Sequence, residues 1–212
     1  MTMTYNSLVA EVQAYLERTD VSTLNNIPNF ISNAEYRISE NLDNHLGLVQ
    51  YVTDVFLVPN GMIIAKPARW KRTLSWRYGS GAGFNTSNQL YLRDYDFCNL
   101  YAPDRTVLAP PEYYADYGYY NWLVSPTPDQ AYPYEIAYIE LVSPLSVANQ
   151  TNWLTNYAPT ALLYGTLLES TPYLKDDERI PTWKQYYDEA ISRMKAQDTG
   201  RYTDRASNRE SD

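Results

Sequence analysis

The hydrophobic period changes twice along this chain, and that change restricts the fold more than any single motif. Between Thr23 and Leu42 the residues Ile27, Phe30, Ile31, Ala34, Ile38 and Leu42 recur three and four apart, one face of an α-helix. From about Leu48 to Leu145 alternation takes over, with β-branched and aromatic residues and spaced turn signals. Beyond Asn152 the helical spacing returns. This order reads as an α+β fold, a helical bundle formed by N- and C-terminal helices with an inserted antiparallel β-rich domain. The expected divisions are 1–46, 47–146, 147–197 and a flexible tail over 198–212.

Local signals place the elements. A first helix is expected over Tyr5–Arg18, capped by Thr4 or Asn6. Asp20 or Ser22 is suited to cap the second. Pro28 is expected near that helix's start, with Glu35, Arg37 and Glu40 on its polar face. Tyr51–Val58 reads as a strand, Pro59-Asn60-Gly61 as a turn and Met62–Ala65 as the return strand. Trp70–Tyr78 alternates Leu74, Trp76 and Tyr78 against Thr73, Ser75 and Arg77, before a flexible Gly79–Gly83 loop. Gln89–Arg93, Tyr120–Ser125 and Tyr134–Leu141 are further strands, and Asp94–Leu100 reads as a helical turn. Together they predict a small sandwich or barrel. Ala161–Ser170 is strongly apolar, so Gly165 within it marks a close approach between helices, and Pro172 is expected to end it. The last helix carries Ile180, Trp183, Tyr187, Ala190, Ile191 and Met194 as a stripe to about Gln197. Asp176-Asp177-Glu178 places acids at its start, where the helix dipole favours them.

Composition narrows the chemistry. The single cysteine, Cys98, cannot form an internal disulfide and reads as a small buried hydrophobe. The single histidine, His45, reads as a cap or surface residue. One Cys and one His exclude a Cys/His zinc site within one chain. Neither a G-x-S-x-G elbow nor a G-x-x-x-x-G-K-[ST] loop is present. Acids such as Asp94, Asp96, Asp116, Asp129 and Glu135 include no pair tied together at glycosidase spacing. No catalytic residue, metal ligand or cofactor is expected. The apolar runs fall far short of the ~20 residues that span a bilayer, and Met1–Tyr5 has neither part of a signal peptide. A protein kept in its host's cytoplasm is expected.

The net charge is −8, from 17 basic and 25 acidic residues, which argues against gripping nucleic acid through its phosphates. It leaves room for DNA sliding past an acidic wall. Lys66, Arg69, Lys71, Arg72 and Arg77 interleave with Trp70 and Trp76, which reads as a solvated strand face or an interface with an acidic neighbour rather than a nucleic-acid site. The 22 tyrosines and 5 tryptophans suit cross-strand packing and protein interfaces alike. Arg69, Lys71, Arg72, Trp76, Tyr119 and Trp122 are the candidates for contacts with other protein subunits.

Pro126-Thr127-Pro128-Asp129, then Tyr132 and the Tyr138 strand, resembles the P-x-P-D…Y…Y stretch of tailed-phage head–tail adaptors, also called head-completion or tail tubular A-like proteins. The match continues through Asn152-Trp153-Leu154, Ala158-Pro159, Leu162-Leu163-Tyr164-Gly165 and Leu168-Glu169. It closes on Pro172–Ile180, Trp183 and Tyr187, and Phe30-Ile31, Ala34-Glu35 and Arg37-Ile38 resemble the family's second helix. The resemblance implies a structural virion protein without enzymatic activity. It implies a homo-oligomeric ring, commonly of twelve copies, docked under the portal and presenting a platform to a tail or nozzle protein. It also implies double-stranded DNA passing through the lumen without specific binding, and no membrane. In such adaptors the C-terminal segment reaches into the portal, which here nominates Met194, Arg201, Tyr202, Arg205 and Arg209. Another tail component (tube or stopper), or a carbohydrate-binding module using the aromatic β-domain, is the alternative.

Overall fold

The computed structural model describes residues 3–42, 45–80, 86–174 and 178–207, with the side chains of 54, 80, 86, 174 and 199–207 left aside. The described residues form six α-helices and a seven-stranded sheet. The chain divides into two compact units, one of residues 1–48 with 141–212 and the other of 49–140.

In the first unit, α1 (Tyr5–Leu16) opens with a capping box in which Thr4 and Ser7 exchange side-chain and backbone hydrogen bonds, and buries Tyr5, Leu8, Val12 and Leu16. α2 (Val21–Asn41) is capped by Asp20, whose carboxylate accepts from the Thr23 amide at 2.9 Å. α2 begins early enough that Pro28 lies inside it rather than near its start, without an amide to donate to the preceding turn. Its apolar face buries Ile27, Phe30, Ile31, Ala34 and Ile38, and also Glu35, which was expected on the polar face. α4 (Trp153–Tyr157) carries a second capping box, from Asn152 and Thr155.

α5 (Pro159–Leu174) touches α1, α2, α4 and α6 (Ile180–Ser207). A helix contacted on so many sides must be apolar almost all round, and Ala161, Leu162, Leu163, Leu167 and Leu168 are buried. The hydroxyls of Thr166 and Ser170, also buried there, donate back to the carbonyls of Leu162 and Leu167. Pro172 does not end α5, which continues through Leu174. Gly165 is a close approach: a Cβ there would meet the Tyr187 ring at 3.2 Å and Ala34 Cβ at 3.4 Å. α6 buries Trp183, Tyr187, Ile191 and Met194 and runs through Ser207, past the expected end near Gln197. Asp198, at the head of the expected tail, is buried, and its carboxylate accepts from the Leu46 amide. The acids at 176 and 177 lie outside the described residues. His45 is buried rather than superficial, with its ring 5.0 Å from that of Trp153.

The second unit is the sheet, in the order β1 (Val49–Phe56), β7 (Pro133–Glu140), β3 (Trp70–Ser80), β4 (Thr86–Leu92), β5 (Tyr113–Tyr117), β6 (Asn121–Ser125), β2 (Ile63–Ala65). All neighbours are antiparallel except β4 and β5, which run parallel through a crossover carrying α3 (Tyr95–Tyr101). This is one departure from the antiparallel expectation. The hairpin expectation fails at β2: it pairs with β6 and not with β1, so Pro59-Asn60-Gly61 is a turn, with Asn60 at φ 61°, but not a hairpin turn.

Trp76 on β3 and Trp122 on β6 are three strands apart, about 14 Å across a flat sheet. Their ring centroids lie 5.0 Å apart, so the sheet curls. The concave side holds a core of Trp76, Trp122, Tyr78, Tyr114, Tyr134 and Ile136 with their neighbours. In β3 the register shifts between Thr73 and Ser75, and this bulge breaks the alternation: Trp76 and Tyr78 face the core while Leu74 is exposed. The expected Gly79–Gly83 loop falls partly in β3; positions 81–83 lie outside the described residues.

Candidate assembly surfaces

Three of the five basic residues in β3 and the segment before it pair with acids of their own unit. Lys66 Nζ lies 2.6 Å from Asp116 Oδ1 and 3.7 Å from the Trp70 ring centroid, with only 4 % of its side chain exposed. Arg69 pairs with Glu140 and Arg77 with Glu135, each at 2.6 Å. Lys71 and Arg72 also have partners. These charges hold strands together across the sheet.

Two nominated contact residues are unavailable to another subunit. Trp76 and Trp122 are buried in the core, where hydrophobic packing outweighs any interface role. Neither indole N–H has a hydrogen-bond partner among the described residues. Tyr119 differs: it sits on the three-residue turn between β5 and β6, where Gly118 adopts φ 70°. Tyr119 and Tyr120 are 70 % and 74 % exposed and meet edge to face at 5.0 Å. Their rings are held by each other and project into solvent, an adhesive tip of low conformational entropy.

Of the five tail residues nominated for the portal, Met194 is buried on α6 and cannot reach a partner without opening that helix. Arg201, Tyr202 and Arg205 lie on the last turns of α6. Arg209 is outside the described residues.

Sequence reasoning passed over a second aromatic surface, on α3. Cys98 turns inward against Ala115 and Leu123, and burial pushes its thiol pKa up. The outer side carries Phe97 and Tyr101, stacked at 9°, with Tyr113 edge-on to both. Leu100 beside them is 82 % exposed. Arg93 lies 5.7 Å from the Phe97 and Tyr113 rings. Tyr101 donates to Glu112 at 2.8 Å, a hydrogen bond that raises its pKa. Tyr95 sits between Asn99 and Arg105, and the Asn99 hydrogen bond, then that of Arg105, lowers its pKa. The short spacing of Tyr95, Phe97 and Tyr101 in one two-turn helix is the signal that could have revealed this surface.

Glu35 was also misplaced, although Ile31, Glu35 and Ile38 share the helical spacing of a buried face. It is 6 % exposed. Its carboxylate accepts from the Leu145 amide at 3.1 Å and from Asn152 Nδ2 at 2.7 Å. Asn152 Nδ2 also donates to the Ser143 carbonyl, so Glu35 ties the 143–152 segment to α2. Burial raises the carboxyl pKa to about 7 against the opposing pull of these hydrogen bonds.

Three of the acids considered for a glycosidase pair have structural partners. Asp116 pairs with Lys66, Glu135 with Arg77, and Asp129 accepts from the Tyr132 hydroxyl at 2.8 Å. Among the described residues no three His, Cys, Asp or Glu side chains gather as a metal site, and no helix is long and apolar enough to cross a membrane.

Exposed tyrosine clusters on a rigid curled sheet, beside internally paired charge, are the equipment of a structural protein that works by contact with other proteins. The family model described as SU10 adaptor protein matches residues 3–210, and the chain belongs to that family. It is accordingly a phage structural adaptor and a component of the virion. No match is found among curated proteins.

Proposed function

We propose that the chain is a subunit of a ring, commonly twelvefold in the resembling adaptors, which joins the portal to the tail and continues the DNA channel. In this reading α1, α2, α5 and α6 make a bundle that carries the inserted sheet. Family membership over nearly the whole chain is the observation that carries it. The exposed Tyr119–Tyr120 tip and the α3 aromatic surface supply two different patches, as a contact closing by rotation requires. Arg69, Lys71 and Arg72 act in these contacts through acidic neighbours. The negative net charge of −8 lets DNA pass without sticking. The end of α6, with Arg201, Tyr202, Arg205 and then Arg209, enters the portal, and a tail or nozzle protein docks on the opposite side. Assembly takes place in the host cytoplasm.

Native mass spectrometry of the protein alone and with purified portal, followed by electron microscopy, tests this. A ring seated on the portal supports it. A chain that ignores the portal but joins the tail moves the assignment to a tube or stopper component. A monomer whose Phe97–Tyr101 surface binds sugars would favour the carbohydrate-binding reading, because that surface lies beside Asp94 and Asp96.

A further inference from the structure

Lys66 is a nearly enclosed cation whose partners converge on one turn. It follows β2 directly, and only 4 % of its side chain is exposed. Its Nζ donates to Asp116 Oδ1 at 2.6 Å and to the Gly118 carbonyl at 3.4 Å. Its backbone amide donates to the Tyr120 carbonyl at 2.8 Å. One residue therefore holds positions 116, 118 and 120, alternate positions of the stretch that ends β5 and turns towards β6. Tyr119, which with Tyr120 forms the exposed tip, lies between the last two anchors.

The ammonium reaches these acceptors by lying against indole rings. Nζ stands 3.7 Å from the Trp70 ring centroid and 5.8 Å from that of Trp122, and the two rings meet edge to face at 87°. A cation over an aromatic face is held there electrostatically, so the head of the side chain is aimed at the turn. Stability gives little reason for a charge in this place. Methionine, equally unbranched, fills such a space as well. Asp116 is 55 % exposed, so water would solvate its carboxylate and no buried charge would be left alone. What methionine lacks is a donor for Asp116 and Gly118. The turn needs that donor: Gly118 sits at φ 70°, with nothing beyond its chain neighbours within 4 Å of where a Cβ would stand. Packing does not fix this permissive residue, and hydrogen bonds must.

We infer that Lys66 is the positioning residue of the Tyr119–Tyr120 tip: it fixes the turn in the free chain, so that both rings are presented in one orientation to a neighbouring copy. The step from tip to neighbouring copy rests on the ring reading above. A tip ordered in advance loses less conformational freedom on docking than a mobile one, which strengthens the contact without adding to it.

Two variants and two readouts test this. Lys66→Met removes both side-chain anchors, and Asp116→Asn replaces the charged acceptor with a neutral one. Both are expected to keep the wild-type melting temperature. Backbone order parameters of Gly118, Tyr119 and Tyr120, from nitrogen relaxation of the chain alone, are expected at about 0.85 in the wild type. They are expected to fall toward about 0.6 in Lys66→Met, with Asp116→Asn between. Ring formation on purified portal, read by native mass spectrometry, is expected to need roughly tenfold more Lys66→Met protein, the scale of re-ordering a turn and two rings on docking. In a chain already carrying Tyr119→Ser and Tyr120→Ser, Lys66→Met is expected to weaken assembly no further, because residues acting through one contact are not additive. An undiminished order parameter in Lys66→Met would overturn the assignment. So would a full additional loss of assembly in the tip-less chain, or a fall in melting temperature that accounts for the loss. Wild-type copies that do not associate on the portal would remove the ring reading and with it the neighbouring copy, while the order parameters would still uphold or overturn the hold of Lys66 on the turn.

Discussion

Replacing Glu35 by glutamine separates the cost of a buried charge from the value of its hydrogen bonds. The folded-state pKa of about 7 stands above the ordinary 4.5 because burial disfavours the carboxylate. The folded chain therefore holds this proton more tightly than the unfolded chain. Its contribution to stability is complete below pH 4.5 and is lost as the pH rises through 7. A displacement of that size corresponds to at most about 3 kcal/mol, and residual hydration of the site reduces it to about 2 kcal/mol. Glutamine keeps the shape and an accepting oxygen but does not titrate. Urea unfolding of both proteins at pH 5 and pH 8, read by hydrogen exchange of buried α2 and α5 amides, isolates the effect. From pH 5 to pH 8 the wild-type chain is expected to lose about 2 kcal/mol relative to Glu35→Gln. A relative change near zero, or a wild-type gain, would show that the Leu145 and Asn152 hydrogen bonds outweigh desolvation, and would refute the reasoning.

Gly165→Val is expected to destabilise the helical unit by about 3 kcal/mol by thermal or urea unfolding, because branches on a Cβ already 3.2 Å from Tyr187 have nowhere to go. The Tyr187 hydroxyl, which accepts from Asn41 Nδ2 at 2.8 Å, holds that ring in place. Trp76→Ala is expected to cost the β-unit about 3–5 kcal/mol, read by hydrogen exchange of β3 and β7, since it removes the centre of the aromatic core. Tyr119→Ser with Tyr120→Ser should change stability by no more than about 0.5 kcal/mol while weakening assembly, measured by native mass spectrometry. Deleting 199–212, which spares the buried Asp198, should leave the melting temperature near that of the full chain and abolish portal attachment in a pull-down.

Periodicity makes the helical faces legible at once. The α1 and α6 stripes, the Asp20 cap, the interior strand β7 and the inward turn of Cys98 all follow from residue type and spacing, because a helix or strand sorts its own side chains. The close approach at Gly165 is equally local, an unsupported glycine within an otherwise apolar helix. Glu35 shows the limit: expected on the polar face, it lies on the buried one, where Leu145 and Asn152, far along the chain, make its burial tolerable. Of the nominated contact residues, Tyr119 stands exposed, while Trp76, Trp122 and Met194 are enclosed. An aromatic ring is equally suited to a core or an interface, so type alone does not distinguish the two.

What the amino-acid sequence determined by itself is therefore the class of each segment, where helix gives way to strand and back, and which residues are apolar on each face. Tertiary structure decided the partners. It took β2 from β1 and paired it with β6, curled the sheet until Trp76 met Trp122, and joined Lys66 to Asp116 and Arg77 to Glu135. The physical reason is that side-chain pattern is set by neighbours three or four positions away, whereas strand pairing and charge pairing join residues tens of positions apart. Their energies exist only once the chain has closed those loops.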